Sequence, residues 1–327
     1  GGGPIAETEP GGTIEAELGP CVVLNLETAD FNADFTGTLV AADGPIIAFS
    51  GNEASDAPFF PDLSRRRCCA DHLEEQIDPI RTAGRSFVAS VSPNRTRALI
   101  GAGAKLGAAE QSEYFRLIAV TDSGARVTTT LEGDFARFQL NEKGSFVDLT
   151  SSETFVIDSD APVMLMSVSP SQAAASVPSG LPGGDPSMLI VPPLEQLRST
   201  YVFLTPDKYS FDFVRIFAPA DASIVFDGLA LEAMDDCSTT PIRVPEGNAA
   251  LAAGMTARNW LLHTCQLSFP RVNPDLTAPA NLSPGTQNDG VHRIVADRPV
   301  GVLVDGFDAY VSYAYAGGTE LELIVPE

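Results

Sequence analysis

Basic residues are scarce in this chain: 20 Lys and Arg stand against 43 Asp and Glu, a formal net charge of −23 over 327 residues. A field of that sign repels phosphate backbones and anionic head groups, which excludes nucleic acid and a bare membrane surface as partners. Long apolar runs are lacking too. The stretch nearest to one, residues 98–109, is broken by Gly101, Gly103, Lys105 and Gly107, well short of the roughly 20 apolar residues that span a bilayer. With 3 His and no C-x-x-C pair, a zinc site has too few ligands. No G-x-S-x-G turn exists to expose a nucleophilic serine; neither Phe49-Ser50-Gly51-Asn52 nor Asp185-Pro186-Ser187-Met188 supplies one. The glycine-rich Gly101–Gly107 segment has a lysine but no G-K-[ST] ending, so it reads as a loop rather than a phosphate cradle. The chain therefore reads as non-catalytic, with no cofactor.

What is present points to a loop-rich globular protein: 44% apolar residues, 19% charged, 28 Gly and 25 Pro. Five cysteines without metal-ligand spacing read as disulfides, hence an oxidising compartment and export. The opening Gly1-Gly2-Gly3-Pro4 has no Met and reads as the end of a flexible linker over residues 1–19 of a trimmed product.

Three segments share one pattern, an Asp-x-Pro followed by an apolar run: Asp43-Gly44-Pro45, Asp160-Ala161-Pro162 and Asp297-Arg298-Pro299. Asp bonds its own backbone and Pro fixes φ, so each copy predicts a turn feeding a core strand. A second element repeats as well. Residues 114–119 leading into 125–128, and 213–218 leading into 222–228, both read as hairpins. The motif proline moves 137 positions from Pro162 to Pro299, while the preceding strand moves 99 from Leu117 to Ile216, leaving 38 additional residues between about Glu232 and Gly285. Cys237, Cys265 and Trp260 lie there, predicting a disulfide-tied insertion at about 235–285. Helix signals are confined to Cys68–Ile80 and Ala249–Leu262.

The expected fold is all-β, with antiparallel units repeated and packed as sandwich-like modules; propeller-like closure is the alternative. The units run 20–110, 111–200 and 201–327.

Cys237 with Cys265 is the preferred bridge because both lie in the insertion, worth roughly 3 kcal/mol. Cys21 then pairs with Cys68 or Cys69, a vicinal Cys68–Cys69 bridge being the rarer option. Asp71, His72, Glu74 and Glu75 are one imidazole and three carboxylates within five residues, read as acidic groups at a helix start. Asp30, Asn32 and Asp34 alternate like half a calcium loop, but Gly is missing at the sixth place and Ala41 stands at the twelfth; calcium is a weak candidate. Phe307, Tyr310, Tyr313 and Tyr315 form an aromatic strip that is either half core or a recognition surface.

Four phrases occur in order that resemble the N-terminal domain of the IgGFc-binding protein family in its bacterial, secreted form. They are Phe35–Gly51 with its Thr36-Gly37-Thr38 and Asp43-Gly44-Pro45; Cys69-Ala70-Asp71-His72-Leu73-Glu74-Glu75-Gln76; Gly184-Asp185-Pro186-Ser187-Met188 continuing to Glu195-Gln196; and Gly306–Gly318. The resemblance runs from about residue 20 to 325. Gly44 stands where the family has a basic residue, and Ala54 where relatives often carry a cysteine, which leaves the pairing of Cys68 and Cys69 open. The resemblance implies a secreted, cell-surface or extracellular domain, in some relatives lipid-anchored, with roles in adhesion or matrix contact. The expected partners are an extracellular protein or glycan, or copies of the chain itself. The alternative reading is a structural subunit of an extracellular fibre, sheath or appendage.

Overall fold

Alternation sets the framework: along residues 113–119, Phe115, Leu117 and Ala119 are buried while Tyr114, Arg116 and Ile118 are half-buried on the other face. The structure is a computed structural model that describes residues 5–242, 255–257, 259–272 and 282–325. It is built from strands β1 (Phe49–Ser55), β2 (Asp71–Gln76) and β3 (Gly84–Ala89), then α1 (Arg95–Gly101), then β4 (Glu113–Ala119), β5 (Ala125–Thr129), β6 (Arg137–Leu140), β7 (Phe146–Ser151), β8 (Phe155–Val168) and β9 (Met188–Val191). The second half holds β10 (Arg198–Thr205), β11 (Phe211–Pro219), β12 (Ile224–Phe226), β13 (Leu229–Ala230), β14 (Cys237–Pro241), β15 (Trp260–Gln266), β16 (Ser268–Val272), β17 (Leu282–Gln287), β18 (Gly290–Asp308) and β19 (Val311–Ala316). The chain is all-β, with every strand pair antiparallel.

Two long strands organise two modules. The first part of β8 pairs with β3 and β5, and its second part with β4 and β9. β18 repeats this with β10 and β12, then β11 and β19. Each long strand thus runs through one sheet, of seven strands in the first module and eight in the second, that curls around a core. Phe87, Phe115, Val127, Phe155 and Leu165 fill the first; Tyr201, Ile216, Phe226, Ile294 and Val302 fill the second.

The Asp-x-Pro motif sits at the change of partner. In the copies at Asp160 and Asp297 it is not the expected turn but a bulge inside a continuous strand: Gly84 opposes Val163 and Ser86 opposes Asp158, just as Arg198 opposes Val300 and Thr200 opposes Val295; the copy at Asp43 is a bend ahead of β1. Proline cannot donate to a ladder, so the strand must bend there. The aspartate carboxylate takes over as acceptor for the neighbouring strand, receiving Arg126 N–H at 2.7 Å on Asp160 and Ser223 N–H at 2.9 Å on Asp297.

The modules superpose in register. From Val163 to Val300 is 137 positions, from Ser86 to Thr200 is 114, and from Leu117 to Ile216 is 99. The extra residues of the second module are split. Between Val147 and His263, which face Leu117 and Ile216, the displacement is already 116; the β16–β17 hairpin supplies most of the remainder. A fragment of a third copy precedes both. β1 pairs with β2 as β8 pairs with β9, and the 3₁₀ turns Ile80–Thr82 and Leu194–Gln196, each entered from a proline, are again 114 apart. Residues 5–48 carry no strand and are almost wholly exposed.

Several expectations are corrected. The paired segments 114–119/125–128 and 213–218/222–228 are not hairpins: β4 and β5, like β11 and β12, attach to opposite parts of the long strand. Cys68–Ile80 is not helical, because Leu73 is buried between exposed His72 and Glu74 with the period of a strand. Trp260–Leu262 begins β15, while most of 249–259 lies outside the described residues. β3 lies within the expected 20–110 unit but pairs with β8 of the next, so the strands of the first module start at Gly84.

Candidate functional site

The modules meet where the outer face of β11 and β18 lies against β3 and β8. Phe217, Leu262 and Leu303 join the first module's core cluster, and every residue of β11 from Phe211 to Ala218 is buried. Gly301 is required here, since a Cβ would strike the Phe217 ring. Within this seam lies a set of buried charges. Arg215 Nε donates to Asp305 Oδ2 at 2.8 Å, and its Nη1 donates to the Ser90 carbonyl at 2.7 Å.

Arg95, at the start of α1, is the second buried cation. Asn94 caps the helix by accepting from Arg97 N–H, which holds Arg95 inward. Its Nη1 donates to the carbonyls of Pro170 and Gly183, both at 2.7 Å, and its Nη2 to the carbonyl of Asp185 at 2.9 Å. Gly184 adopts φ +66, and a Cβ there would collide with Ser312 Oγ, which accepts from Asp185 N–H. Glu113 accepts from Ser92 and Ser167 hydroxyls at 2.6 and 2.9 Å. The space between these groups is about 10 Å³, room for no more than a water.

Burial governs the titration of this cluster. It lowers Arg95 to about 10 and raises Asp305 despite the pull of Arg215. Asp185 rises to about 7 through burial and the charge of Asp71, and its Oδ1 has no hydrogen-bond partner. Asp212 rises to about 6 through burial, although Ser268 and Tyr313 donate to it.

The structure thus brings two of the sequence phrases together: Asp71 lies close enough to Asp185 to raise it. Pro186 and Ser187 are buried, with Ser187 Oγ 2.8 Å from Ser169 Oγ. His72 and Glu74 are exposed on β2, 3.3 Å apart, and Glu75 is raised to about 7 by burial and Asp78. Asp34 is directed at Arg116 at 2.5 Å and at Thr36 N–H at 2.7 Å, while the Asn32 amide reaches the Phe60 carbonyl at 3.5 Å and Asp30 is exposed. Those contacts turn Asp34 toward a guanidinium instead of a shared centre with Asp30 and Asn32. The aromatic strip is also dispersed. Phe307 is buried, stacked on Phe211, Tyr313 donates to Asp212, and Tyr315 bonds the Leu204 carbonyl; Tyr310 is the exposed member.

Cys237 and Cys265 are joined at opposed positions of β14 and β15. Cys68 is joined to Cys69, and Cys21 is free and exposed. This replaces the expected pairing of Cys21 with Cys68 or Cys69 by the vicinal option, and leaves Cys21 in an exposed segment without strand partners.

Besides the seam charges, sequence reasoning missed a second constellation. His292 Nδ1 is 2.7 Å from Asp227 Oδ2 and its Nε2 is 2.9 Å from Thr205 Oγ1, the order of a hydrolase relay. Yet Thr205 is buried, and Nε2 is also 3.0 Å from the Asn288 carbonyl. His292 lies between the rings of Phe203 and Phe226 and holds the register of Phe155 in the first module, 137 positions earlier. That arrangement ties a core together and leaves the hydroxyl no approach.

A family model described as IgGFc binding protein matches residues 1–306. No match was found among curated proteins or solved structures.

Proposed function

The chain belongs to the IgGFc-binding family, and on that premise we propose that it is a non-catalytic extracellular module for adhesion, binding a matrix protein or a glycan through its acidic surface. The observation that carries this reading is how the ionisable groups are arranged. The buried ones are consumed in the seam between modules, with Arg215 on Asp305 and Arg95 on backbone carbonyls. What faces solvent is a rigid scaffold with a large excess of carboxylates, at a net charge of −23. Such a field favours basic or cation-bridged partners and steers them at long range. The bridge between Cys237 and Cys265 suits an oxidising exterior.

The test is a solid-phase binding assay against purified matrix proteins and mucin-type glycans across a salt series. Saturable binding that weakens as salt screens the surface is expected. A protein that binds none of them, or that hydrolyses one of them, overturns the reading.

A second reading, a subunit of an extracellular fibre, sheath or appendage, is favoured by one observation: the second module leaves uncovered the face that the first module buries.

A further inference from the structure

The duplication makes each residue of the module seam comparable with its counterpart elsewhere. The first module contributes the outer face of β3 and β8 to the seam: Val88, Ser90 and Val156 are 0%, 2% and 0% exposed. Their counterparts in the second module meet no such cover. Val202 and Leu204, 114 positions after Val88 and Ser90, are 65% and 54% exposed; Arg293, 137 positions after Val156 and paired with Val202, is exposed too; and Val291, paired with Leu204, is 73% exposed. Val225 on β12 adds 40%. These are β-branched and aliphatic side chains around the cation Arg293, on well-paired strands and presented to water, and Tyr315 fixes the backbone by bonding Leu204. Surfaces of this kind mark association sites.

The other half of the seam also has a counterpart. Phe213, Arg215, Phe217 and Leu303 of the second module are buried under the first. Tyr114, Arg116, Ile118 and Met166 occupy the same register on the outer face of the first module and are only half-buried. Phe146 takes the place of Leu262: Leu262 is 8% exposed and Phe146 is 42%. Arg116 even keeps the guanidinium of Arg215, here stacked on Phe146 with 4.3 Å to the ring centroid. Asp34 and Thr36 reach it but leave Phe146 uncovered.

We propose that copies of this chain stack head to tail, the Val202–Leu204–Val291 face of one seated on the Tyr114–Arg116–Phe146 face of the next, repeating between molecules the seam already present within each. The two faces differ, so the contact is heterologous and does not close on itself; it extends to a row. The geometry places Arg116 of one copy at the Leu204 backbone of its neighbour, as Arg215 meets the Ser90 carbonyl. A net charge of −23 opposes contact between like copies, so association strengthens as salt rises toward and beyond physiological ionic strength.

Sedimentation velocity on the full chain over a concentration series tests this. The wild type gives a concentration-dependent ladder of species. Leu204→Glu and Phe146→Glu each shift it to the monomer, with Val202→Glu as a second variant of the Leu204 face; these side chains are exposed, and unchanged thermal melts verify folding. The mixture of Leu204→Glu with Phe146→Glu retains one sound pair of faces and returns a dimer that grows no further. A wild type that stays monomeric at all concentrations and salts overturns the proposal. So does an association that Phe146→Glu leaves intact, because the Leu204 face would then pair with itself or with another surface.

Discussion

Arg116 and Arg215 occupy the same position of the same strand in two copies of one module, yet they live in different media. Arg215 is enclosed, with Asp305 beside it and a backbone carbonyl beyond. Arg116 lies partly open to water and donates to the carboxylates of Asp148 and Asp34, which hold its guanidinium firmly protonated. The difference comes from what is stacked above each sheet, and it shows that the fold specifies a surface while the neighbour decides whether that surface becomes core.

The comparison breaks most sharply at the arginines themselves. Arg215→Ala strands Asp305 as a buried unpaired charge and is expected to cost about 3–5 kcal/mol, whereas Arg116→Ala loses a solvent-screened network worth about 1 kcal/mol. Equilibrium urea unfolding of both variants measures the gap, and equal losses would refute the distinction. Next in size is the bridge that only the second module has. Replacing Cys237 and Cys265 by Ser frees a loop with a sequence separation of 28 and is expected to remove about 3 kcal/mol, read as a lower melting temperature under non-reducing conditions. Asp160→Ala and Asp297→Ala probe what the modules share. Each removes a carboxylate acceptor at the bulge and is expected to cost about 1 kcal/mol, alike in both; a loss confined to one module in hydrogen exchange would show that the two bulges are not equivalent.

A pH series sharpens the comparison from the side of the buried carboxyls. Folded-state Asp185 and Glu75 sit at about 7, above ordinary values of 3.8 and 4.5, so the native chain holds protons that the unfolded chain releases. Stability from these groups is complete below the unfolded values and is lost as pH rises through 7. The urea midpoint is therefore expected to rise from pH 7.5 to pH 5, and Asp185→Asn is expected to flatten that rise.

Much of this was legible in the sequence. The all-β class and the repeat followed from Pro162, Pro299 and the apolar runs around them, because residue period and proline placement are local facts. The role of the motif was not legible. Whether Asp160 starts a turn or bridges a bulge depends on Arg126, a strand away, and no spacing reveals that. The helix at Arg95–Gly101 was hidden for a similar reason. Its signal is Asn94 after Pro93, too short a period to outweigh the glycines that follow. The seam charges escaped because Arg95, Glu113, Arg215 and Asp305 are separated along the chain and converge only when the modules stack. The aromatic residues 307–315 stayed open between half core and recognition surface because alternation along a strand cannot tell which face another module will cover.

The long strand at the centre of each module also bears on how the protein is made. β3 and β10 pair with nothing but β8 and β18 among the described residues, and each must wait while some seventy to ninety further residues are synthesised before its partner emerges. Through that interval the nascent chain holds unzipped, apolar strands, so chaperone capture and the moment of export matter more for this protein than for one whose neighbouring strands close as they leave the ribosome.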